Sequence, residues 1–587
     1  MVVIDPTLHT VSTGASSTLY TTWPGQYRYY SFTPPNQTCP PVYNLASNGT
    51  ALSWVECGTA VQWLVEYGTI GFAPGAGTQV LVNTNSYDFS SLSSGIYEFR
   101  VRPYCGVGDT GAAKSITVAK NYTFCGGSGT QANPYLICNE TDLRNLATVV
   151  NAGVDYANTY FRLQNNIAMA QGAFTPIGAL ATPFRGHFDG NNRSITNLSM
   201  TNTTGNHNGL FGMLIGGSIS NLTVGGTVAG GDTTGAIVGS AVNSVIRNCT
   251  NNAAVTGSYI AHGGIAGSII NTKVLNCRNT GGVAGSSNTG GIVGYANTKS
   301  AIHRSTNSGT ISNYSSYHGG IAGYFYNSTA SGDTVGLFAC RNTGSVTGGS
   351  YSGGIVGYIY YSNVDSCSNT TNLSTSGYSY VGGVVGYAYY TKIRRCSNRG
   401  NLPCSSYSGG IAGYVYGSSA NYCYIQYCVN TGHVSSSSTY VGGIAGRTYY
   451  TYTQYNTNSG DVISTSTDAS SYVGGIVGYG SSYSYVQYNL NGGYVKSTGG
   501  TVGGILGYSP SSTTYIQYNI NVNNVKGASN VGAIAGTGTV NTTNNYWDKQ
   551  MCPTNIIYGT TTSATQGKTT AELVGQNAIP STSYFTT

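Results

Sequence analysis

Charge is what this sequence has least of. Only 7% of its 587 residues are Asp, Glu, Lys or Arg, against roughly a quarter in ordinary globular proteins. The net charge of +7 is spread thinly over 24 Lys and Arg. No basic run occurs, which argues against a nucleic-acid partner. No apolar stretch reaches the roughly 18–20 residues that a membrane-spanning helix needs. The first residues, "MVVIDPTLHT", lack the basic and apolar regions of a signal peptide, so the expectation is a secreted chain whose leader is absent from this sequence. Low charge with few apolar residues would indicate disorder. Here 40% of residues are hydrophobic and they recur at regular intervals, which indicates order.

What the sequence has in excess is Gly (85) and Tyr (51), and they come in a repeating phrase. "GG[IV]xG" begins at Gly263, Gly290, Gly319, Gly353, Gly382, Gly409, Gly442, Gly474 and Gly503. Degenerate copies begin at Asn208, Gly235 and Gly532, making twelve anchors spaced by about 29 residues, a solenoid period. Gly pairs and β-branched residues disfavour helix, and runs such as "GGIVGYIYY" alternate as strands do. The unit therefore reads as one coil of a parallel β-solenoid of about twelve coils, with coils about 4.8 Å apart.

Two further signals share that period. A C-x-N site recurs, with Cys249, Cys277, Cys340, Cys367, Cys396 and Cys428 at its first place; Asn456, Asn489 and Asn519 take that place in later coils. Its second place holds Asn251, Asn279, Asn342, Asn369, Asn398 and Asn430, then Asn458, Asn491 and Asn521. Stacked amides can hydrogen-bond along such a column. The cysteines read as small inward thiols, although disulfides between coils stay open. Their spacing follows the fold and is not that of a metal cluster. Tyrosines also recur two residues before the anchor: Tyr317, Tyr351, Tyr380, Tyr407, Tyr440 and Tyr472. Such a row either holds the stack together or offers a platform to a glycan or a protein partner; both readings stay open.

The carboxylates do not assemble into a reactive pattern. Between residues 208 and 546 there is no Glu, and Asp232, Asp333, Asp365, Asp461 and Asp468 share no offset from their anchors. Glycoside cleavage and Ca²⁺ binding need clustered carboxylates, so no enzyme, metal or cofactor is expected. A carbohydrate-active β-helix enzyme remains the weaker alternative.

Longer segments carry a family resemblance. "NPYLICNETDLRNLA" (133–147), "FTPIG" (174–178), "FRGHFDGNNRSITNLSM" (184–200), "NGLFG" (208–212), the repeated "GGIxG" and "NNYWDKQ" (544–550) resemble proteins that carry the GLUG motif. The resemblance implies a parallel β-helix on a bacterial surface protein, often adhesin-like. Some relatives join this module to a metallopeptidase; none of the seven His here is followed by Glu, so no HExxH site carries over. "LSWVECGTAVQWLVEYGTIGFAPGAGT" (52–78) and "YDFSSLSSGIYEFRVRPYC" (87–105) resemble a fibronectin type III domain of the Bacteroidetes type. That resemblance places Trp54, Leu92, Tyr97 and Val101 in a sandwich core.

The expected fold is thus all-β: a fibronectin type III-like sandwich followed by a capped β-solenoid. Residues 1–38 are unassigned, with strand-like pieces that make them a candidate assembly strand; 39–119 form the sandwich, 120–207 the solenoid cap, 208–546 the repeats and 547–587 a C-terminal cap or tail. "NETDLRNLATVVNAG" (139–153) reads as a short cap helix starting at Asn139 or Thr141, and Cys125 with Cys138 would close a small loop as a disulfide. The expected function is a non-catalytic extracellular structural or adhesive protein. Its expected partners are copies of itself, joined head to tail through strand addition by residues 1–38, and glycans or other surface proteins.

Overall fold

A computed structural model describes residues 39–574, except for residues 40, 57, 59, 107–108, 121, 123, 202–204, 314, 329–333, 376–378, 555, 559–560 and 563–565. The candidate assembly strand in 1–38 and Asp333 lie outside the described residues. Two compact units result: one holds the described residues up to Tyr122 together with Ala152–Val154, the other the rest.

The first unit is built of antiparallel strands. Tyr43–Ser47, Ala51–Val55 and Ser86–Asp88 form one sheet; Thr78–Val82, Gln62–Thr69 and Gly95–Gly106 form another, with Lys114–Lys120 pairing Gly95–Gly106. Both contribute to one core, in which Leu52, Trp54, Val65, Phe89, Phe99 and Val101 are buried and Leu92 and Tyr97 pack at its margin. Trp54 and Trp63 meet edge to face at 5.9 Å. A disulfide joins Cys39 to Cys105 across 66 residues, a pairing the sequence reading did not foresee.

The second unit is the solenoid. Twelve strands that follow the glycine anchors, from Phe211–Ile215 to Ala535–Gly538, stack in parallel, and the whole comprises about 14 turns. The extra turns arise because strands at 135–200 continue the same stack: Tyr135–Ile137, Tyr160–Leu163 and His187–Met200 pair in parallel below Ser218–Gly230. The helix Glu140–Asn151 begins at the cap residue Asn139, whose Oδ1 accepts from the Asp142 backbone N–H at 3.0 Å. Asp142 in turn accepts from the Cys138 backbone N–H at 2.9 Å. The first of these bonds satisfies a donor that the first helical turn leaves open, and the second ties the entering chain to that turn.

One coil shows the plan. Ser379–Gly382 and Val385–Tyr389 are followed by Lys392–Arg394, then Ser397–Asn398, then Leu402–Cys404. Each stacks on its counterpart one coil on, with Gly382 on Gly409, Tyr387 on Tyr414, Ile393 on Ile425 and Asn398 on Asn430. A residue with positive φ makes the bend between the third and fourth strands; it is Arg304, Ala339, Ser366 and Arg395 in four successive coils and Tyr427, Tyr455, Tyr488 and Tyr518 in later ones. Left-handed backbone costs a non-Gly residue about 1–2 kcal/mol, so the bend persists because stacking over-determines it. Inside, Ile265, Ile292, Ile321, Ile355, Val384 and Ile411 form one fully buried column. Each such side chain contributes roughly 1.5–3 kcal/mol by leaving water.

Candidate functional site

Two features were expected to carry function, the inner ladder and the outer tyrosines. The inner ladder is continuous. Asn251, Asn279, Asn307, Asn342, Asn369 and Asn398 each donate through Nδ2 to Oδ1 of the next, at 2.7–3.0 Å. Asn430, Asn458 and Asn491 carry the chain on to Asn521 at 2.8–2.9 Å. The second Nδ2 hydrogen goes to the carbonyl two residues on, as from Asn398 to Gly400 at 2.8 Å, and the Gly400 N–H returns to Oδ1 at 3.2 Å. A buried amide with every group bonded is stabilising; one left short is costly. Asn307 belongs to the coil where Ser305 replaces Cys, which hid it from the C-x-N pattern.

The same ladder accounts for the second glycine of each pair. A Cβ on Gly383 would overlap the Asn398 amide and the Gly410 carbonyl, and Gly354 and Gly410 stand in the same way against Asn369 and Asn430. The two periodic signals of the sequence are therefore the two sides of one contact.

At the first place of the motif, Cys249, Cys277, Cys340, Cys367, Cys396 and Cys428 are buried free thiols. Each sulfur lies over a carbonyl of the preceding coil, as Cys340 over Ile302 at 3.4 Å and Cys396 over Val364 at 3.5 Å. Burial pushes the Cys249, Cys367 and Cys428 thiols up, so they are neutral. From the next coil the place is taken by amides. Asn456 donates to the Ile425 carbonyl at 2.9 Å, and a second ladder runs Asn456, Asn489, Asn519, Asn545 at 2.9–3.0 Å. Alkylation of the folded protein should therefore leave Cys340, Cys367, Cys396 and Cys428 unmodified, and all four should react after denaturation. Labelling in the native state, read by peptide mass spectrometry, would contradict the inward placement.

Cys125 and Cys138 form a disulfide. With Asp142 they make up the one close group of Cys, His, Asp or Glu atoms among the described residues, and the two sulfurs are bonded to each other.

Outside, the six expected tyrosines are half-buried and do form a row. Tyr317, Tyr351, Tyr380, Tyr407 and Tyr440 follow one another at 4.7–4.9 Å, with Tyr472 at 5.8 Å. A second row, including Tyr324, Tyr358 and Tyr387, interlocks with it edge-on; Tyr317 meets Tyr324 at 5.1 Å and 86°. Burial pushes the Tyr324 and Tyr414 phenols up to about 12, which keeps them as neutral donors. In the second row Arg447 stands where other coils have Tyr, 5.0 Å from the rings of both Tyr414 and Tyr479.

A third set escaped the sequence reading although its signal is plain: "Y-x-Q-Y" at 424–427, 452–455, 485–488 and 515–518. Tyr424, Tyr452, Tyr485 and Tyr515 stack at 4.5–5.3 Å, and Tyr427, Tyr455, Tyr488 and Tyr518 at 5.0 Å, within 6° of parallel. Between them Gln426, Gln454, Gln487 and Gln517 are bonded amide to amide at 2.7–2.9 Å. Rings at this repeat cannot lie flat on the surface, because coplanar rings would overlap. With planes held about 3.5 Å apart by contact, they must be shingled. Each ring therefore overlaps the edge of its neighbour, and the surface presents edges, hydroxyls and amides with part of each face.

Ladders within and tyrosine rows without define a parallel β-solenoid that offers a long repetitive surface. Within it, the family model described as "The GLUG motif" matches residues 377–402. The chain is also similar to a protein of Evansella cellulosilytica described as a Gly-rich membrane protein. The two are 34% identical over 119 residues, which is 19% of this chain and 13% of that one; the chain thus matches about an eighth of the relative's length. Among solved structures, a Bacteroides ovatus protein described as an immunoglobulin A1 protease is similar at 22% identity. Its TM-score is 0.33, over 50% of this chain and 80% of that one. Pectate lyase Pel3 of Pectobacterium carotovorum is similar at 11% identity and TM-score 0.12, over 68% and 84%. Neither of these two likenesses bears on activity.

Proposed function

We propose that this protein is a non-catalytic structural and adhesive component of a cell surface, acting outside the cell. The observation that carries the reading is the union of a continuous inner Asn ladder with outward tyrosine rows that run over successive coils. Such a body is stiff along its axis and shows the same chemistry many times, which suits multivalent contact. The two disulfides fit an oxidising compartment, and the nine other described cysteines are all buried. The name of the Evansella relative, a membrane protein, is in keeping with a surface location. Three of the described carboxylates serve structural bonds: Asp365 pairs with Arg395, Asp461 accepts from the Tyr494 N–H and Glu140 from the Ala170 N–H.

Self-association into fibres or layers is part of the proposal. Electron microscopy of the concentrated full chain should show fibres or sheets, and incubation with a polysaccharide panel should release no reducing ends. Dispersed single particles would remove the assembly element, and reducing-end release would remove the non-catalytic one.

A further inference from the structure

Scattered in sequence, the basic residues are gathered by the fold. Ten Lys and Arg lie between residues 208 and 400, against three Asp. All ten fall in one arc of the coil: the corner before the third strand, that strand, the left-handed bend and the two-residue ladder strand with the residue after it. Lys273 and Arg278 mark the arc in one coil, Lys299 and Arg304 in the next, and Arg341 in the one after. Two coils further on stand Lys392, Arg394, Arg395 and Arg399. Arg247, Lys273, Arg278, Arg304 and Arg341 are exposed. Among the described residues none of these five has a carboxylate partner, and Arg395 is paired with Asp365. The His303 ring is held below its ordinary value by burial and by neighbouring Arg304 and Lys273, a sign of the positive field there.

The arc continues directly into the Tyr–Gln–Tyr surface. Lys392 is in register with Tyr424, and Arg394 with Gln426. A shallow cavity of about 400 Å³ lies at this junction, bordered by Phe338, Asp365, Lys392, Arg394 and Arg395. At about 4.8 Å per coil the two halves together run some 45 Å. A ligand that used the whole arc would be long, negatively charged along part of its length, and rich in groups that bond amides and phenols. Single-stranded nucleic acid gains its affinity by stacking bases on fully open ring faces, and the shingled rings leave theirs only partly open. Sugar hydroxyls need only the edges.

We propose that this arc is a binding face for a linear acidic polysaccharide, its carboxylate or sulfate groups held by Lys273, Arg278, Arg304 and Arg341 and its hydroxyls by Gln454 and Gln487. The inference rests on the adhesive reading above and gives it a ligand class. The full chain should be retained on immobilised polygalacturonate or on dextran sulfate, the two arms separating carboxylate from sulfate, and not on neutral dextran. Retention should weaken roughly tenfold from low to physiological salt, as exposed charges are screened. Lys273→Gln/Arg278→Gln/Arg304→Gln should weaken it by roughly tenfold more with an unchanged melting temperature, since exposed substitutions of this kind barely affect stability. Gln454→Ala/Gln487→Ala should weaken it without changing the salt dependence. The proposal is overturned by retention on neither polyanion, by equal binding of the triple variant, or by tighter binding of single-stranded DNA that the same variant abolishes. Chain length of the polysaccharide, measured in the same experiment, separates the two readings. Shortened chains with retention support the face and remove the non-catalytic role, whereas no retention removes the face alone.

Discussion

Asn398→Ala should be among the most damaging single substitutions in the solenoid. The Asn398 amide receives from Asn369 and gives to Asn430, both at 2.9 Å, and it closes on Gly400 through two further bonds. All of these groups are buried, so truncation leaves the Asn369 Nδ2, the Asn430 Oδ1 and both polar groups of Gly400 short of a partner. Each such loss costs about 1–3 kcal/mol, and a small cavity opens as well. The expected loss is about 4–6 kcal/mol in a chemical denaturation of the full chain. Asn251→Ala, at the end of the ladder, should cost about a quarter less, because it keeps both bonds to Ala253 but bonds only one neighbouring amide. Equal effects at the two positions would show that the ladder does not act as a connected series.

Why this ladder was half legible in the sequence follows from its construction. The glycine anchors and the C-x-N site each announced a period of about 29 residues, and a parallel stack was the one architecture that both fitted. That they touch could not be read, since Gly383 and Asn398 are 15 positions apart and only the coil path brings them together. Where chemistry varied, the pattern broke: Ser305 concealed one rung. The tyrosine row was found by position, but its meaning depended on ring orientation, which no spacing encodes. The basic arc was invisible for the opposite reason. At most four cations per coil never form a run, so low charge density along the chain hid higher density across the stack. The Cys39–Cys105 bridge spans 66 residues and has no local signature at all. The strands at 135–200 read as a cap because they lack the glycine phrase, yet their backbone continues the same ladder of parallel pairs.

Acid should weaken the solenoid between pH 6.5 and about 4, an onset well above the range in which ordinary carboxylates are protonated. His262 and His318 face inward from one column, in register with Thr234, Thr289 and Ser352, and both are fully buried. Their rings are slotted against glycine: a Cβ on Gly257 or Gly285 would overlap His262, and one on Gly349 would overlap His318. Neither ring nitrogen of His262 has a hydrogen-bond partner, and His318 Nε2 lies 3.0 Å from the Ser315 carbonyl. Burial pushes both rings down to about 4; the Tyr259 backbone and Asp232 oppose this at His262, as the Ser315 carbonyl does at His318. In the window between 6.5 and 4 the unfolded chain binds protons that the folded chain refuses, so stability rises with pH across it and falls as acid is added. Each histidine accounts for up to about 3 kcal/mol at the acid end. Carboxylates act lower: Arg100 holds Glu98 below its usual value, and that contribution is lost only as the pH falls through the carboxylate range. His262→Val/His318→Val keeps the inward apolar character found at Val381, two coils from His318 in the same column. The double variant should be less stable than the parent at pH 7.5, because valine fills less of each slot. Its melting temperature should then decline less steeply from pH 7 to 4.5 than that of the parent, the remaining slope coming from His187, His207 and His303, which burial also holds low. Parallel pH profiles for the two proteins would show that the buried rings are not the source of the acid sensitivity.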